Sequence, residues 1–449
     1  MLMLEETAEK KVTTVSAIAW LLLAIVVLFG IHLRAVAFND TEIENPVRAD
    51  AREYFAYALN LGNWNIFSKE YVAPGSAEAP RPDALRSPGF PYFGKFFVAD
   101  DVESMLANTL RAQTVLQVVA FLFLTWVFVQ MLGLGWALPA ALLLWTFPHF
   151  VSMNTYYLSE SLFISMLATA VGIAWVSSRH LKFQMLGWAI CGITIGMASL
   201  TRPVMEYFPA FFLLFCLFFF RQHWRAVLVF SVCAVVPVLF WKVRNILAIG
   251  DAADQTLLAN GFYHGSFPGF MYNDIPESLG VPYRFDPRAA ETARGLGATL
   301  SLMWGRITES PIEYLNWYFF GKPQFLWQWS GIDGQGDIFI YLALKSPYYS
   351  LLDFHLSRIV NHVVHPFWIL LGLGCSVAIL AGAVSKHRSD SPFFLFLALI
   401  VIYATLVHMV LAPFPRYGIP FKVCLIPLSV LAMKEASTWV LQRLLKKSQ

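Results

Sequence analysis

Two carboxylates and two arginines stand together directly after the first long apolar stretch of the chain. The segment Arg48–Tyr54 contains Arg52 and, three residues apart, Asp50 and Glu53. A carboxylate can accept the proton of a hydroxyl group, and an arginine guanidinium binds phosphate oxygens through paired hydrogen bonds. These residue types suit the transfer of a group from a phosphate-linked donor to an alcohol.

More charged residues stand near the ends of other apolar stretches. They are Arg86, which precedes Ser87-Pro88-Gly89-Phe90-Pro91, and Glu160, Arg202, Arg244, Lys322 and Arg416. A charge costs about 2.5–3.5 kcal/mol at the centre of a membrane span and less near its ends. Any single one could simply reach the lipid headgroups. Because several connections share the feature, a common site is the better interpretation.

The composition indicates an all-α protein that crosses the membrane many times. Of 449 residues, 57% are hydrophobic and only 14% are charged, which is too apolar for a protein with a water-exposed surface. The net charge of +3 gives no indication of a nucleic-acid partner. The five cysteines lie inside apolar stretches without metal-site spacing, so we interpret them as small core residues.

Ten stretches are long enough to cross a bilayer, for which roughly 20 mostly apolar residues suffice. They are Val15–Val36, Ala112–Met131, Trp136–Phe150, Leu158–Ser177, Met185–Leu200, Val204–Phe220, Trp224–Ile246, Val363–Val384, Phe393–Leu411 and Gly418–Leu441. Basic clusters such as Arg179–Lys182, Arg221–Arg225 and Lys386–Arg388 fall in alternate connections. The positive-inside rule assigns these connections and both chain ends to the cytoplasm.

The same rule places two long connections on the outer face, 37–111 and 247–361. We therefore expect an N-terminal membrane module over 1–246, a long outer loop over 247–361 and C-terminal membrane helices over 362–449. Aromatic residues predict interfacial helices at Ala51–Leu61 and Ile312–Phe320. The second is preceded by the capping-box pattern Ser310-Pro311-Ile312-Glu313. The expected location is a bacterial inner membrane, with the site facing the periplasm or exterior.

Neither ATP nor nucleotide sugars are available on the outer face, so a donor there must be anchored in the membrane. A sugar carried on a lipid phosphate meets this requirement. The acceptor stays open at this point, since a lipid, a glycan or a protein can each offer a hydroxyl group.

The chain resembles the GT-C membrane glycosyltransferases that use polyprenyl-phosphate-linked sugars. The most similar branch contains protein O-mannosyltransferases, aminoarabinose transferases and galacturonosyl transferases of the lipopolysaccharide core. The resemblance covers most of the chain and rests on Asp50–Tyr54, Ala58–Leu61, Ser87–Pro91, Leu158–Phe163, Leu200–Pro203, Arg244-Asn245 and Arg416–Pro420.

The resemblance implies an inverting transfer in which Asp50 is the general base. It implies Glu53 and Glu160 as further catalytic carboxylates, since the family often has an acidic pair where this chain has Asp50-Ala51. Which carboxylate compensates for Ala51 stays open. The implied ligands of the donor phosphate are Arg202, Arg244, Lys322 and Arg416, and the implied substrate-binding residues are Arg52, Tyr54 and Tyr417.

Two other functions compete with a transferase. A transporter or flippase for lipid-linked sugars is one, and a glycan ligase or polymerase is the other. Transporters place ionisable groups near the bilayer midplane, whereas the middle thirds of these stretches carry almost no charge. No cofactor is expected. The sequence has no Asp-x-Asp motif, and His355, His362 and His365 are the candidate ligands if a divalent metal binds.

Overall fold

The computed structural model describes residues 2–72, 78–330, 334–338, 340–384 and 392–447. Helices dominate this part of the chain, and α1–α18 are, in order, Leu2–Asp40, Asp50–Asn63, Gly89–Lys95, Val102–Leu132, Leu134–Thr146, Pro148–Ser152, Ser159–Arg179, Gln184–Thr201, Phe208–Phe219, Trp224–Ile249, Thr256–Gly265, Leu296–Glu309, Pro311–Asn316, Lys322–Trp327, Leu352–Val384, Pro392–Val410, Pro415–Gly418 and Lys422–Lys447. The all-α, membrane-spanning fold class is confirmed.

Within the described residues, eight helical segments are long and apolar enough to cross a membrane. A ninth candidate is the pair Leu134–Thr146 and Pro148–Thr155, bent by 43°. The predicted span Val204–Phe220 is a shorter apolar helix, Pro203–Phe219. Each of the ten predicted stretches thus corresponds to an apolar helix or a bent helix pair; Pro148 begins the second helix of the pair, and Pro203 stands at the start of the short helix. The predicted cytoplasmic cluster 386–388 lies outside the described residues.

Two helices at the centre of the bundle carry site residues at the ends that lie near the two long connections. In the two membrane segments that contain α7 and α18, 72% of the apolar 18-residue stretch is buried inside the protein. This fraction is higher than in the other six full-length candidate spans. Glu160 stands at the start of α7, and Arg416 stands in the short helix α17 directly before α18. Because packing fixes both helices, the side chains at their ends are held in place as well.

The two long connections, 37–111 and 247–361, meet at a small antiparallel sheet. Strand β1, Glu42–Ile43, pairs with strand β2, Ala343–Lys345. Close by, the backbone N–H of Ala51 donates to the hydroxyl of Tyr341 over 3.4 Å. The second loop therefore lies against the start of α2, where the first charged segment is found.

The predicted helices of the outer loops form with changed details. Helix α2 confirms the prediction at Ala51–Leu61. The helix expected at Ile312–Phe320 is instead α13, a π-helical turn at Trp317–Gly321, and α14. Pro311 stands in its first turn as predicted, but the Ser310 side chain accepts no capping hydrogen bond, so the capping box was wrong.

Candidate active site

Asp50 and Glu53 lie on one side of the first turn of α2, because residues three apart on a helix are neighbours. Arg86 joins them: its Nη2 donates to Asp50 Oδ1 over 2.8 Å, and its Nε donates to Glu53 Oε2. The N-cap position of α2 is Ala49, so the Asp50 carboxylate does not cap the helix and pairs with arginine instead.

Arg86 was among the charged residues expected near a common site, but it was given no catalytic or binding role. Its sequence signal is its place directly before Ser87-Pro88-Gly89. The ion pairs join residues 36 and 33 positions apart, and no local pattern predicts contacts over such a separation.

Arg416 approaches Asp50 from a different part of the chain. Its Nη2 lies 3.4 Å from Asp50 Oδ2, so the two carboxylate oxygens face two different guanidinium groups. Burial raises the pKa of Asp50, but the charges of Arg416 and Arg86 lower it more, and the pKa lies below its usual value. Asp50 is therefore ionised at neutral pH. Its side chain is 34% exposed, which leaves it accessible to a substrate.

Glu160 and Arg202 form a second ion pair beside the first. Arg202 Nη1 lies 2.7 Å from Glu160 Oε1, and the Glu160 side chain is only 4% exposed. The guanidinium carbons of Arg202 and Arg416 lie 5.1 and 5.3 Å from the centre of the Tyr417 ring. Two cations thus share one aromatic ring, and a dianion such as phosphate would be attracted to both.

Tyr54 forms one wall of this site. Its hydroxyl lies 3.3 Å from Ser159 Oγ, and Arg86 stands over its ring at 5.6 Å. Burial raises the pKa of Tyr54, so the hydroxyl stays neutral and can donate a hydrogen bond. Arg52 lies on the same helix with its side chain exposed.

Most of the predicted site residues are brought together by these contacts. The connected set contains Asp50, Glu53, Tyr54, Glu160, Arg202, Arg416 and Tyr417, joined through Arg86. Ala51 is fully buried, so a carboxylate at this position would need a partner inside the packed helix interface. The further negative charges of the site come from Glu53 and Glu160. Glu53 pairs with Arg86, and Glu160 pairs with Arg202.

Arg244 has a different set of contacts. Its Nη1 donates to the carbonyl of Asp83 over 3.0 Å, and its Nη2 donates to the carbonyl of Phe67 over 3.4 Å. It also lies over the Phe67 ring at 5.4 Å. Arg244 therefore holds the stretch of the first long connection that leads to Arg86, and we place it in a positioning role.

Lys322 is enclosed away from solvent. It is 0% exposed, and its Nζ lies 3.2 and 3.1 Å from the carbonyl oxygens of Val410 and Leu411. These carbonyls are at the C-terminus of α16, where a helix has unpaired acceptors. With its donors used in this way, Lys322 is left out of the phosphate-binding set that we propose below.

Lys322 should make folding stability depend on pH. Burial lowers the pKa of Lys322 to about 6, against an unfolded value of about 10.4. Between these values the unfolded chain binds the extra proton, so stability rises with pH and is lost as the pH falls. We expect Lys322→Met to flatten the rise in melting temperature in detergent between about pH 6.5 and 9. Parallel profiles for the variant and the wild type would contradict this.

A buried polar network supports the turn before Glu160. Arg34, 1% exposed, donates from Nε to Gln117 Oε1 over 2.8 Å and from Nη1 to the Trp145 carbonyl over 2.9 Å. Gln117 Oε1 also accepts from Asn154 Nδ2, and Asn154 Oδ1 accepts from the hydroxyl of Ser161. This network ties α1 and α4 to the first turn of α7. Arg34 was not predicted to support the site, because in the sequence it is a single basic residue inside an apolar stretch.

The candidate metal ligands have other contacts. His365 Nε2 lies 3.0 Å from Lys422 Nζ, and His362 stacks on Trp329 with ring centres 5.0 Å apart. The residues that the structure describes contain no group of three or more His, Cys, Asp or Glu placed to hold a metal ion. Whether the reaction needs a divalent metal stays a prediction.

Solved structures with the same architecture exist. The archaeal oligosaccharyltransferase AglB from Archaeoglobus fulgidus, in complex with an inhibitory peptide and a dolichol-phosphate, aligns with 96% of this chain and 52% of its own at 16% identity and a TM-score of 0.51. The A. fulgidus enzyme tethered to an acceptor peptide aligns with 92% of this chain and 49% of its own at 15% identity and a TM-score of 0.51. The chain has the GT-C fold.

The GT-C fold is shared at low identity, and the chain spans about half the length of these neighbours. No family model and no curated protein sequence matches the chain. The fold alone is therefore taken from the comparison, because one fold can serve several functions. Activity has to be argued from the site.

Proposed function

We propose that the protein transfers a sugar from a polyprenyl-phosphate-linked donor to an acceptor hydroxyl at the outer face of the membrane. The observation that carries the proposal is the placement of Asp50 between Arg86 and Arg416, with Arg202 and Tyr417 alongside. One accessible carboxylate and a pair of partly buried cations are what such a transfer needs. The structurally similar AglB was solved in complex with a dolichol-phosphate, which supports a donor whose sugar is carried on a lipid phosphate.

In the proposed reaction the acceptor oxygen attacks the anomeric carbon of the sugar. Its proton passes to Asp50, and the bond from that carbon to the phosphate oxygen breaks. The electron pair leaves with the phosphate, which departs as polyprenyl phosphate. Arg202 and Arg416 stabilise the charge that grows on it. Attack from the face opposite the phosphate inverts the configuration.

The resting ion pairs indicate how Asp50 is released for this role. When phosphate binds Arg416, its negative charge offsets the effect of that cation, which raises the pKa of Asp50 and makes the carboxylate a stronger base. Arg86 retains Glu53 as a partner when it leaves Asp50 Oδ1. Glu160 keeps Arg202 oriented in the same way. The two extra carboxylates thus hold the cations rather than accept the proton.

Transfer in reconstituted vesicles tests the proposal. Purified protein in phospholipid vesicles is given undecaprenyl-phosphate sugars with a radiolabelled sugar, together with a membrane and periplasmic extract. We expect release of undecaprenyl phosphate and label bound covalently to an acceptor. Label that crosses the bilayer while still on its lipid indicates a flippase. A parallel assay uses lipid-linked oligosaccharide diphosphates as donors. Transfer from these donors only indicates a ligase or polymerase. Separate assay of inside-out and right-side-out vesicles tests the proposed outer, periplasmic orientation.

A further inference from the structure

Arg34 is a buried cation that has no partner of opposite charge among the described residues. It stands in α1 with 1% of its surface exposed, and its hydrogen bonds go to three uncharged acceptors. An arginine keeps its charge inside a protein, and a buried charge is costly unless an opposite charge offsets it. The structure therefore contains a positive charge that a small anion would stabilise.

The contacts of the Arg34 guanidinium leave one of its nitrogens free. Nε donates to Gln117 Oε1 over 2.8 Å, and Nη1 donates to the carbonyls of Gly30 and Trp145, each over 2.9 Å. The rings of Phe121 and Trp145 lie 5.0 and 5.3 Å from the guanidinium carbon. These bonds use three of the five N–H donors of an arginine. In the described part of the chain, the remaining two, both on Nη2, have no acceptor.

Gln117 adds two further donors beside Arg34. Its Oε1 accepts from Arg34 Nε and, over 2.7 Å, from Asn154 Nδ2. The two bonds fix the orientation of the amide, because turning it over would set N–H groups against each other. Asn154 is fixed in turn, since its Oδ1 accepts from the Ser161 hydroxyl. Gln117 Nε2 is buried and, like Arg34 Nη2, has no acceptor among the described residues.

The balance of donors and acceptors favours an anion over water at this place. Arg34 Nη2 and Gln117 Nε2 together carry four hydrogens for which the described residues offer no acceptor. The unpartnered acceptor on the same face of α4 is a single oxygen, Oε1 of Gln113, one turn before Gln117. A buried water has to donate its own hydrogens as well as accept, whereas an anion only accepts. An anion also offsets the charge of Arg34, which water cannot do.

We propose that Arg34 and Gln117 bind a small monovalent anion, of which chloride is the commonest, inside the helical bundle. Arg34 Nη2 and Gln117 Nε2 are the donors to it. The two residues are 1% and 0% exposed, which suits an ion of halide size rather than an organic anion. Arg34 lies six residues before the end of α1, about 9 Å along the helix axis. The site is therefore a short distance from the first long connection.

The anion would also support the candidate active site. Gln117 holds Asn154, and Asn154 holds the hydroxyl of Ser161, the neighbour of Glu160. An anion that binds Arg34 and Gln117 stabilises the same network, and it stabilises the folded protein because the unfolded chain lacks the site. The inference does not depend on sugar transfer, and its tests need no turnover.

Melting temperatures in detergent test for the ion. The full-length protein is compared in sodium chloride and in sodium gluconate at equal ionic strength, because gluconate is too large for a fully buried site. We expect chloride to raise the melting temperature in a saturable way, by about 2–4 °C. Arg288→Gln, which changes an exposed arginine far along the chain, should keep this response. Equal melting temperatures in the two salts would overturn the proposal.

Gln117→Glu makes the test specific, because it places a carboxylate at the 2.8 Å contact with Arg34. The carboxylate supplies the negative charge from within the protein. The variant should therefore melt in gluconate at about the temperature of the wild type in chloride, and its response to chloride should be lost. A response to chloride that persists in Gln117→Glu would place the ion elsewhere and remove the assignment to Arg34.

Anomalous diffraction from crystals grown in sodium bromide locates the ion directly, since bromide replaces chloride and scatters anomalously. We expect a peak in hydrogen-bond contact with Arg34 Nη2 and Gln117 Nε2 in the wild type, and none there in Gln117→Glu. Density at this position without an anomalous signal would show that water satisfies these donors, and the proposal would then be wrong.

Discussion

Asp50→Asn is expected to abolish sugar transfer while the protein still folds. Asparagine has nearly the shape of aspartate, but it cannot accept the proton of the acceptor hydroxyl. Loss of a general base typically lowers the rate by about 10²–10⁴-fold. The measurement is initial-rate transfer in vesicles, with melting temperature and gel-filtration profile in detergent to follow folding. Turnover close to that of the wild type would remove Asp50 from the mechanism.

Two neighbouring carboxylates provide the comparison for Asp50→Asn. Asp100 is an exposed residue of the same outer loop, and Asp100→Asn should behave like the wild type. Glu53→Gln should have an intermediate effect, because it leaves Asp50 intact but removes one of the two partners of Arg86. If Glu53→Gln were the inactive variant and Asp50→Asn the active one, the base would be Glu53.

The positions of the helices could be predicted well from the sequence, whereas the contacts between individual side chains could not. Apolar runs locate the membrane helices because burial and the bilayer both select for long apolar stretches. One stretch is divided at Pro148 into two helices bent by 43°, since a proline lacks the amide hydrogen that a continuous helix needs. The motif around Asp50 and the charged ends of other stretches correctly indicated residues that lie together in space.

The roles of individual cations could not be predicted in the same way. Arg86, Arg244 and Lys322 all stand near membrane borders, but one joins two carboxylates and the other two bind backbone carbonyls. What a cation binds depends on the packing of segments that are 36, 161 and 88 residues away in the chain. A family resemblance indicates which residues belong to a site even when they are far apart in the sequence. Only the structure shows which acceptor each of these donors contacts.

Charge balance at the site links catalysis to substrate binding. Asp50, Glu53 and Glu160 face Arg86, Arg202 and Arg416, so the resting cluster is close to neutral. A phosphate adds negative charge beside arginines that already have carboxylate partners. Its binding therefore weakens the hold of those arginines on Asp50, and the base becomes stronger when the donor is present.

Arg416→Gln should weaken catalysis and change its pH dependence at the same time. Loss of one fixed donor to a developing anion typically costs about 10²–10³-fold in kcat. Arg416 is also the largest of the charges that lower the pKa of Asp50, so its removal raises that pKa. Activity falls when the pH drops through the pKa of the base. The acid limb of the kcat/KM profile, which reports the enzyme without bound donor, should therefore move to higher pH in the variant.

The matched control is Arg288→Gln, because Arg288 forms an exposed ion pair with Glu291 in the second outer loop. A fully exposed ion pair contributes little to stability, and this one is not part of the cluster around Asp50, so rate and pH profile should stay unchanged. A variant of Arg416 that lowers kcat without moving the acid limb would separate the two roles: the cation would act on the leaving phosphate alone. A shifted limb with unchanged kcat would assign the phosphate to Arg202, because a cation that touched the leaving group could not be removed without slowing its departure.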